Sequence, residues 1–253
     1  MPYRFAHDRP DYTDFAAGPV LYSLPGRPAF PVRLTTEIFQ RCCAHLQRAG
    51  STGPYTVYDP CCGSAYLLTT LAYLHWPAFQ LVVGSDVDAE VIPLAERNLS
   101  LLTLTGVESR IAQLAELSRQ FGKPSHAQAL ASAERLRARL LAYRQLPPIA
   151  SQVFVANALC TAELQPHLAP GTVDIVLSDI PYGQRSIWQG ARSDAPALGP
   201  EWQLLEALRG VMGSPSIVAI TTNKQSKVAH DGYQRVGQFQ IGKRRTFFFV
   251  LQR

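Results

Sequence analysis

Four polar side chains stand where short apolar runs of the sequence end. They are Asp59, Asp86, Asn157 and Asp179. A carboxylate can bind a cation, accept a hydrogen bond from a hydroxyl group or take a proton from a reacting atom, and an amide both donates and accepts. The spacing of these residues therefore predicts a polar site that is assembled from the ends of successive strands.

The stretch 59-DPCCGSA-65 joins the first of these strands to a helix. Such a loop presents backbone N–H groups and a helix N-terminus to a nucleotide-type ligand. The three glycines of a dinucleotide loop are absent, because Gly63 stands alone, and Asp59 would repel a pyrophosphate. The loop therefore favours a ligand that carries an ammonium group and no phosphate, and S-adenosylmethionine meets this description.

Each end of this ligand has a candidate partner. Asp59 suits the ammonium group, Asp86 suits the ribose hydroxyls, and Asn157 can both donate to and accept from the adenine. With the neighbouring loop residues, the predicted cofactor-binding set is Asp59, Cys61, Gly63, Asp86, Val87, Asn157 and Ala158. The paired cysteines do not indicate a metal or redox site, because no C-x-x-C pair or Cys/His cluster is present.

The stretch 179-DIPYG-183 follows the fourth strand. It resembles the [DNS]-P-P-[YFW] motif of class I methyltransferases that act on planar nitrogens, with Ile180 in place of the first proline. The resemblance implies that Asp179, Pro181 and Tyr182 are the catalytic residues. Asp179 and the Ile180 carbonyl would accept the proton or hydrogen bond of the target nitrogen, Pro181 would hold the turn, and Tyr182 would stack on the base.

Three motifs together resemble the guanine methyltransferases that act on tRNA and rRNA. They are 59-DPCCGS-64, 84-GSDVD-88 and 180-IPYG-183. From about residue 30 to the C-terminus, the chain is similar to the avilamycin-resistance family of 23S rRNA guanine methyltransferases. This resemblance implies that N1 of a guanine in the large-subunit rRNA is methylated, while the motif alone would also permit the exocyclic N2.

Strands that alternate with helices must position this site. Apolar runs and turn residues predict seven strands, the last two forming a hairpin around Gly242. The expected fold is α/β and Rossmann-like, as in class I methyltransferases, with a mostly parallel seven-stranded sheet, an antiparallel C-terminal hairpin and helices on both faces. We expect an N-terminal arm and helix over residues 1–54, and a methyltransferase domain over 55–253 with a basic helical insertion at about 110–147.

The positive charge of the chain is concentrated in two short segments. Residues 110–144 hold seven Lys and Arg against two Asp and Glu, residues 224–253 hold seven against one, and the rest of the chain is acidic. Two basic segments beside an acidic core favour a polyanionic partner, although solvated protein faces are the simpler alternative. The predicted RNA-binding residues are Arg135, Arg139, Lys243, Arg244 and Arg245.

Three other functions share parts of this pattern. A protein glutamine methyltransferase shares the planar-amide motif, an RNA-binding module with an inactive site would need no intact acids, and a nicotinamide dehydrogenase would need the missing glycines. No apolar run reaches about 18 residues and the N-terminus lacks an apolar segment, so neither a membrane span nor secretion is expected. With an odd count of cysteines, the composition favours a cytoplasmic protein without a metal.

Overall fold

A computed structural model describes residues 3–16, 18–23, 29–181, 188, 190 and 199–252 of the chain. Seven strands form one sheet in the order β3-β2-β1-β4-β5-β7-β6. The strands are β1 (Tyr55–Asp59), β2 (Phe79–Asp86), β3 (Ala150–Val155), β4 (Val173–Asp179), β5 (Met212–Asn223), β6 (Tyr233–Ile241) and β7 (Arg244–Leu251). Strands β1 to β5 are parallel, and β7 is antiparallel to both β5 and β6. The predicted mostly parallel sheet with a C-terminal hairpin is confirmed.

The central strands are buried on both faces. Every residue of β1 is buried, as are the inner five residues of β5, Ile217–Thr221. A near-continuous apolar strand is typical of a parallel sheet that is covered by helices on both sides. Two clusters of buried side chains result, one on each face of the sheet.

Seven helices accompany the sheet in the described part of the chain. They are α1 (Val32–Arg48), α2 (Tyr66–Leu74), α3 (Ile92–Ser100), α4 (Leu104–Phe121), α5 (Pro124–Ala142), α6 (Thr161–Leu164) and α7 (Pro200–Leu208). Helices α1 to α5 contribute to one cluster, whereas α6 and α7 contribute to the other. The sheet therefore lies between two helical layers.

The helical insertion is a hairpin of α4 and α5. Thr103 caps α4 by accepting a hydrogen bond from the Gly106 N–H at 3.0 Å, so the helix begins before the expected residue 110. Gly122 ends α4 with a left-handed φ of 59°, and Pro124 occupies the first turn of α5. Gly122 and Pro124 thus divide the insertion into two helices.

Two further boundaries position the site. Helix α3 begins at Ile92, with Pro93 in its first turn, where the missing N–H costs nothing. Strand β3 ends at Val155, so Asn157 lies in the turn beyond the strand. Because β3 ends there, the turn that contains Asn157 lies at the carboxyl edge of the sheet.

Glu37 binds the N-terminal arm to α1. Its fully buried carboxylate accepts hydrogen bonds from the N–H groups of Arg4, Phe5 and Ala6, and it pairs with Arg41 at 2.7 Å. A buried carboxylate is stable only when its oxygens are satisfied in this way. The arm therefore packs on the core, while the division at residue 54 stays a prediction.

Candidate active site

Three carboxylates meet at the carboxyl edge of the sheet. Asp59, Asp86 and Asp179 end β1, β2 and β4, which are adjacent parallel strands. Parallel strands end at one edge, and ligands of open α/β sheets bind there. The charges of Asp86 and Asp179 contribute to the pKa of Asp59, which shows that the three groups are close.

Asp59 is the most buried of the three, with 3% of its surface exposed. Its Oδ1 accepts hydrogen bonds from the Ser178 hydroxyl at 2.6 Å and from the Cys61 N–H at 3.1 Å. The pKa of Asp59 is raised to about 7, chiefly by burial, and the neighbouring carboxylates add to this increase against the two hydrogen bonds. A cationic ligand beside Asp59 would relieve this unfavourable burial of negative charge.

Asp86 holds the loop that follows β1. Its Oδ2 accepts the Gly63 N–H at 2.9 Å, and its Oδ1 accepts the Asp88 N–H at 3.1 Å. Gly63 and Ala65 both adopt left-handed backbone conformations, with φ values of 52° and 53°. Asp86 therefore orders the glycine loop, a role additional to the predicted contact with ribose.

The vicinal cysteines serve the packing of this loop. A Cβ on Gly84 would lie 2.9 Å from the Cys62 Sγ, so the thiol occupies space that only glycine leaves open. Burial raises the pKa of the Cys61 and Cys62 thiols well above their usual range, and the nearby carboxylates raise it further. Neither thiol is therefore poised as a thiolate nucleophile.

Asn157 is already engaged within the protein. Its Oδ1 accepts the Leu159 N–H at 3.0 Å, and its Nδ2 donates to the Gly190 carbonyl at 3.0 Å. An adenine contact would use the remaining lone pair and N–H of the amide. Beside these groups, Val87 is 38% exposed and Ala158 is buried. The assignment of Asn157 to adenine stays a prediction.

The stretch 179-DIP-181 continues from β4. The Ile180 N–H donates to the Thr221 carbonyl at 3.1 Å, and the Ile180 side chain is buried in the apolar cluster. Isoleucine is thus held at this position by packing, and the backbone on both sides of it is constrained. Tyr182, the third predicted catalytic residue, lies outside the described residues.

The site fits S-adenosylmethionine. The ligand would place a cationic amino acid end near an acidic edge, where Asp59 combines deep burial with a raised pKa of about 7. The Asp86 carboxylate and the loop around Gly63 would contact its nucleoside. The carboxylates of Asp59 and Asp86 are complementary in charge to this cationic ligand.

The predicted RNA-binding residues divide into two groups. Arg135 forms an ion pair with Asp14 at 2.7 Å, and the Arg139 guanidinium lies over the Phe15 ring at 5.5 Å. The other three residues, Lys243, Arg244 and Arg245, lie at the β6–β7 turn, and within the described residues none of them pairs with a carboxylate. Of the five predicted residues, Arg135 alone pairs with a described carboxylate, and Arg244 and Arg245 lie over aromatic rings as Arg139 does.

Sequence reasoning missed two residues of the site. Ser178 donates to Asp59, and Asn98 in α3 donates to the Ser64 carbonyl at 2.7 Å. The position of Ser178 immediately before Asp179 was a usable signal, because β4 lies beside β1. Nothing in the sequence around Asn98 indicates its contact.

Two kinds of feature are absent from the described residues. No helix in the described residues has the length and apolar character of a membrane span. Across the same part of the chain, no group of His, Cys, Asp and Glu side chains is arranged to hold a metal ion.

Comparison with known proteins gives the family of this chain. The family described as rRNA methyltransferase AviRa matches residues 1–244. A 23S rRNA (guanine(2535)-N(1))-methyltransferase of Streptomyces viridochromogenes is 41% identical over 242 residues, which is 96% of this chain and 93% of that protein.

Solved structures agree. Two structures of rRNA methyltransferase AviRa from Streptomyces viridochromogenes have a TM-score of 0.85 and 38% identity, with 99% of this chain and 96% of the other covered. TrmN from Thermus thermophilus shares the fold at a TM-score of 0.50 and 15% identity, over 89% of this chain and 50% of that one. The class I methyltransferase fold is thus confirmed, and the chain belongs to the AviRa family of rRNA methyltransferases.

Proposed function

We propose that this protein transfers a methyl group from S-adenosylmethionine to N1 of a guanine in 23S rRNA. The observation that carries the proposal is the placement of Asp179 and Pro181 at the same sheet edge as Asp59 and Asp86. The 41% identical relative is named for N1 methylation of guanine 2535 in 23S rRNA, which supports both the atom and the substrate. We infer that the corresponding guanine is the target here.

The residues of the chain have separate tasks in this reaction. When bound, S-adenosylmethionine supplies an electrophilic methyl group; Asp59, Asp86 and the Gly63 loop would hold it. Asp179 would take the proton that N1 of guanine carries, because a protonated nitrogen has no free lone pair for attack. The hydrogen bond from the Ile180 N–H to Thr221 keeps this acceptor in place.

The biological setting follows from the resemblance to the avilamycin-resistance enzymes. Methylation of a guanine where an antibiotic binds the ribosome would protect the producing cell. The action would take place in the cytoplasm, where rRNA is available, and the absence of disulfides among the described cysteines is compatible with this compartment.

The proposal is tested by supplying labelled S-adenosylmethionine to undermethylated 23S rRNA, large subunits and total protein in separate reactions. Nuclease digestion and mass spectrometry should identify 1-methylguanosine at one position of the RNA. Label in protein would favour a glutamine methyltransferase instead, and N2-methylguanosine would move the reaction to the exocyclic amine. Absence of transfer to every substrate, with intact cofactor binding, would favour the RNA-binding module.

The β6–β7 turn is the better candidate for a phosphate-binding surface. In the sheet register, Asp179 is paired with Thr221, Thr221 with Thr246, and Asn223 with Arg244. The basic turn of Lys243 to Arg245 therefore lies just beyond the edge that holds Asp179. A phosphate backbone crossing this edge would meet three positive charges that no carboxylate of the described residues neutralises.

Neutralising the turn is expected to weaken RNA binding and flatten its salt dependence. A variant with glutamine at Lys243, Arg244 and Arg245 should lose about one unit of slope in log K against log salt for each phosphate contact removed. Arg209→Gln is the matched control, because Arg209 is exposed, pairs with Glu206 at 2.9 Å and precedes β5 at the opposite edge of the sheet. Titration of labelled RNA at several salt concentrations measures both slopes, and equal slopes would make the turn a solvated face.

The tip of the α4–α5 hairpin extends past the cofactor loop. Helix α4 starts near Leu101, whose carbonyl accepts from Tyr73 at the far end of α2. Its middle residue Gln113 accepts from the Tyr22 hydroxyl at 2.9 Å, close to the level of the loop. Eight further residues, about 12 Å of helix, lead to Phe121. The tip should therefore project on the substrate side.

Phe121 at this tip is an exposed aromatic side chain beside positive charge. It is 58% exposed, and the Lys123 ammonium lies 6.0 Å from its ring centroid. An exposed ring with a neighbouring cation suits stacking on an unpaired base, because every base has a π face. We infer that Phe121 contacts a base of the rRNA outside the catalytic cleft.

Phe121→Ala should weaken RNA binding without changing its salt slope. Loss of one stacked base costs about 1–3 kcal/mol, which is roughly 5- to 150-fold in affinity. Leu141→Ala is the control, because Leu141 is 42% exposed near the other end of α5. The same salt titrations decide the question: unchanged affinity for the Phe121 variant would leave the ring without a role in RNA binding.

A further inference from the structure

Residues 13–16 and 18–22 of the N-terminal arm contact Tyr66 and Asn98, which flank and hold the cofactor loop, and we call these residues the strap. The Tyr66 hydroxyl, at the first residue of α2, donates to the Phe15 carbonyl at 2.5 Å. The Asn98 amide accepts the Tyr22 N–H at 2.8 Å and donates to the Tyr22 carbonyl at 2.9 Å. The strap is therefore attached on both sides of the loop.

Asn98 also holds the loop itself. Its Nδ2 donates a second hydrogen bond, at 2.7 Å, to the carbonyl of Ser64. Ser64 lies between Gly63, whose N–H binds Asp86, and Ala65, which adopts a left-handed φ of 53°. One side chain thus determines the orientation of a peptide group in the middle of the loop.

These contacts use both hydrogens and the oxygen of the Asn98 amide. The side chain is completely buried, both amide hydrogens are donated and the oxygen is an acceptor. A buried carbonyl that loses its donor keeps the cost of desolvation without compensation. The Ser64 carbonyl and both backbone groups of Tyr22 therefore depend on an amide at position 98, and a carboxylate could serve only one of them.

The strap is bound to the helical insertion by different residues. Arg110 of α4 donates to the carbonyls of Pro19 and Val20 at 2.9 and 3.1 Å, and Arg135 of α5 pairs with Asp14. None of these contacts includes a residue of the loop. Asn98 is the residue that joins the strap to the loop directly.

We propose that Asn98 is a positioning residue for the cofactor loop, and that through Asn98 the docking of the strap and the binding of the cofactor favour each other. The proposal rests on the proposed function only in taking S-adenosylmethionine as the ligand of this loop. Coupling of this kind is reciprocal, so a ligand that requires the ordered loop must also stabilise the docked strap.

The test uses S-adenosylhomocysteine as the probe, since it lacks the transferred methyl group and binding can be measured without turnover. In the unsubstituted protein, the probe should slow hydrogen exchange of the strap amides, that of Tyr22 above all. Asn98→Ala should weaken probe binding in calorimetry by roughly 10- to 100-fold, the effect of unpaired buried polar groups. At a saturating concentration of the probe, the strap amides of this variant should exchange as fast as they do without the probe.

Two further variants make the result specific. Asn98→Asp keeps the shape and the acceptor for the Tyr22 N–H but loses both donors, so it should lose affinity like the alanine variant even if the latter fails to fold. Tyr66→Phe removes the other strap contact and leaves Ser64 bound to Asn98. It should speed hydrogen exchange near Phe15, while the Tyr22 amide, which Asn98 still holds, and the affinity for the probe keep the values of the unsubstituted protein.

Native affinity in the folded Asn98 variants, or strap protection by the probe that persists in them, would overturn the inference. Failure of the unsubstituted protein to bind the probe would overturn the cofactor assignment and this inference with it. Failure to methylate rRNA, with normal probe binding, would affect only the proposed function.

Discussion

Asp179→Ala is expected to reduce the rate of methyl transfer by about 10²–10⁴-fold, the usual contribution of a positioned acid or base. Asp179 ends β4 next to Pro181, and its backbone surroundings are held by the hydrogen bond from Ile180 to Thr221. Binding of the cofactor should survive, because Asp59 and Asp86 lie on other strands. Single-turnover kinetics with saturating RNA measures the chemical step directly.

Asp179→Asn distinguishes the two possible target atoms. Asparagine keeps an acceptor oxygen and loses the charge. If N1 is methylated, a base must remove its proton, and the asparagine variant should be as slow as the alanine variant. If the exocyclic N2 were the target, an acceptor would suffice and much activity would remain. Mass spectrometry of the methylated guanine accompanies the kinetics, and full activity in the alanine variant would remove Asp179 from the mechanism.

Asp59→Asn is expected to weaken cofactor binding by roughly 10- to 100-fold above pH 7, because the carboxylate that faces a cationic ligand is lost. The pKa of Asp59 is raised to about 7, chiefly by burial. In the unsubstituted protein, affinity should therefore rise as the pH rises through about 7 and Asp59 ionises. Calorimetry from pH 6 to 8 measures the affinity of both proteins for the cofactor. The titration of the cofactor itself affects both equally, so it cancels in the difference between the two affinities.

Ser178→Ala provides the complementary control. The Ser178 hydroxyl donates to Asp59 at 2.6 Å and lowers the pKa of that carboxyl. Without this donor, the rise in affinity should move to higher pH. Identical pH dependence in the unsubstituted protein, Ser178→Ala and Asp59→Asn would show that Asp59 does not titrate with cofactor binding.

Asp59→Asn should also stabilise the cofactor-free protein against unfolding at high pH. The folded-state pKa of about 7 lies above the ordinary value of 3.8, so the folded state binds the proton more tightly. The stability that this proton confers is present below about pH 4 and is lost as the pH rises through about 7. Asp59→Asn avoids this loss, so its free energy of unfolding should exceed that of the unsubstituted protein at pH 8, with little difference at pH 4. Denaturant unfolding without cofactor measures this gain.

The amino-acid sequence by itself determined the sheet and the acids of the site. Buried strands read as continuous apolar runs, and a polar residue at the end of such a run is visible without any tertiary information. Because adjacent parallel strands end at one edge, the grouping of Asp59, Asp86 and Asp179 followed from their order along the chain. The motif 179-DIPYG-183 added the class of chemistry.

Only the tertiary structure decided which side chains hold these residues in place and which basic residues pair with a carboxylate. Arg135, whose RNA contact stays a prediction, forms an ion pair with Asp14, 121 residues away. Lys243, Arg244 and Arg245 became the stronger RNA-binding candidates because the register of β7 against β5 places their turn at the same sheet edge as Asp179. The link from Asn98 to Ser64 and Tyr22 joins segments 34 and 76 residues apart. Such pairings leave no local pattern, because they depend on how whole elements pack rather than on the residues that flank them.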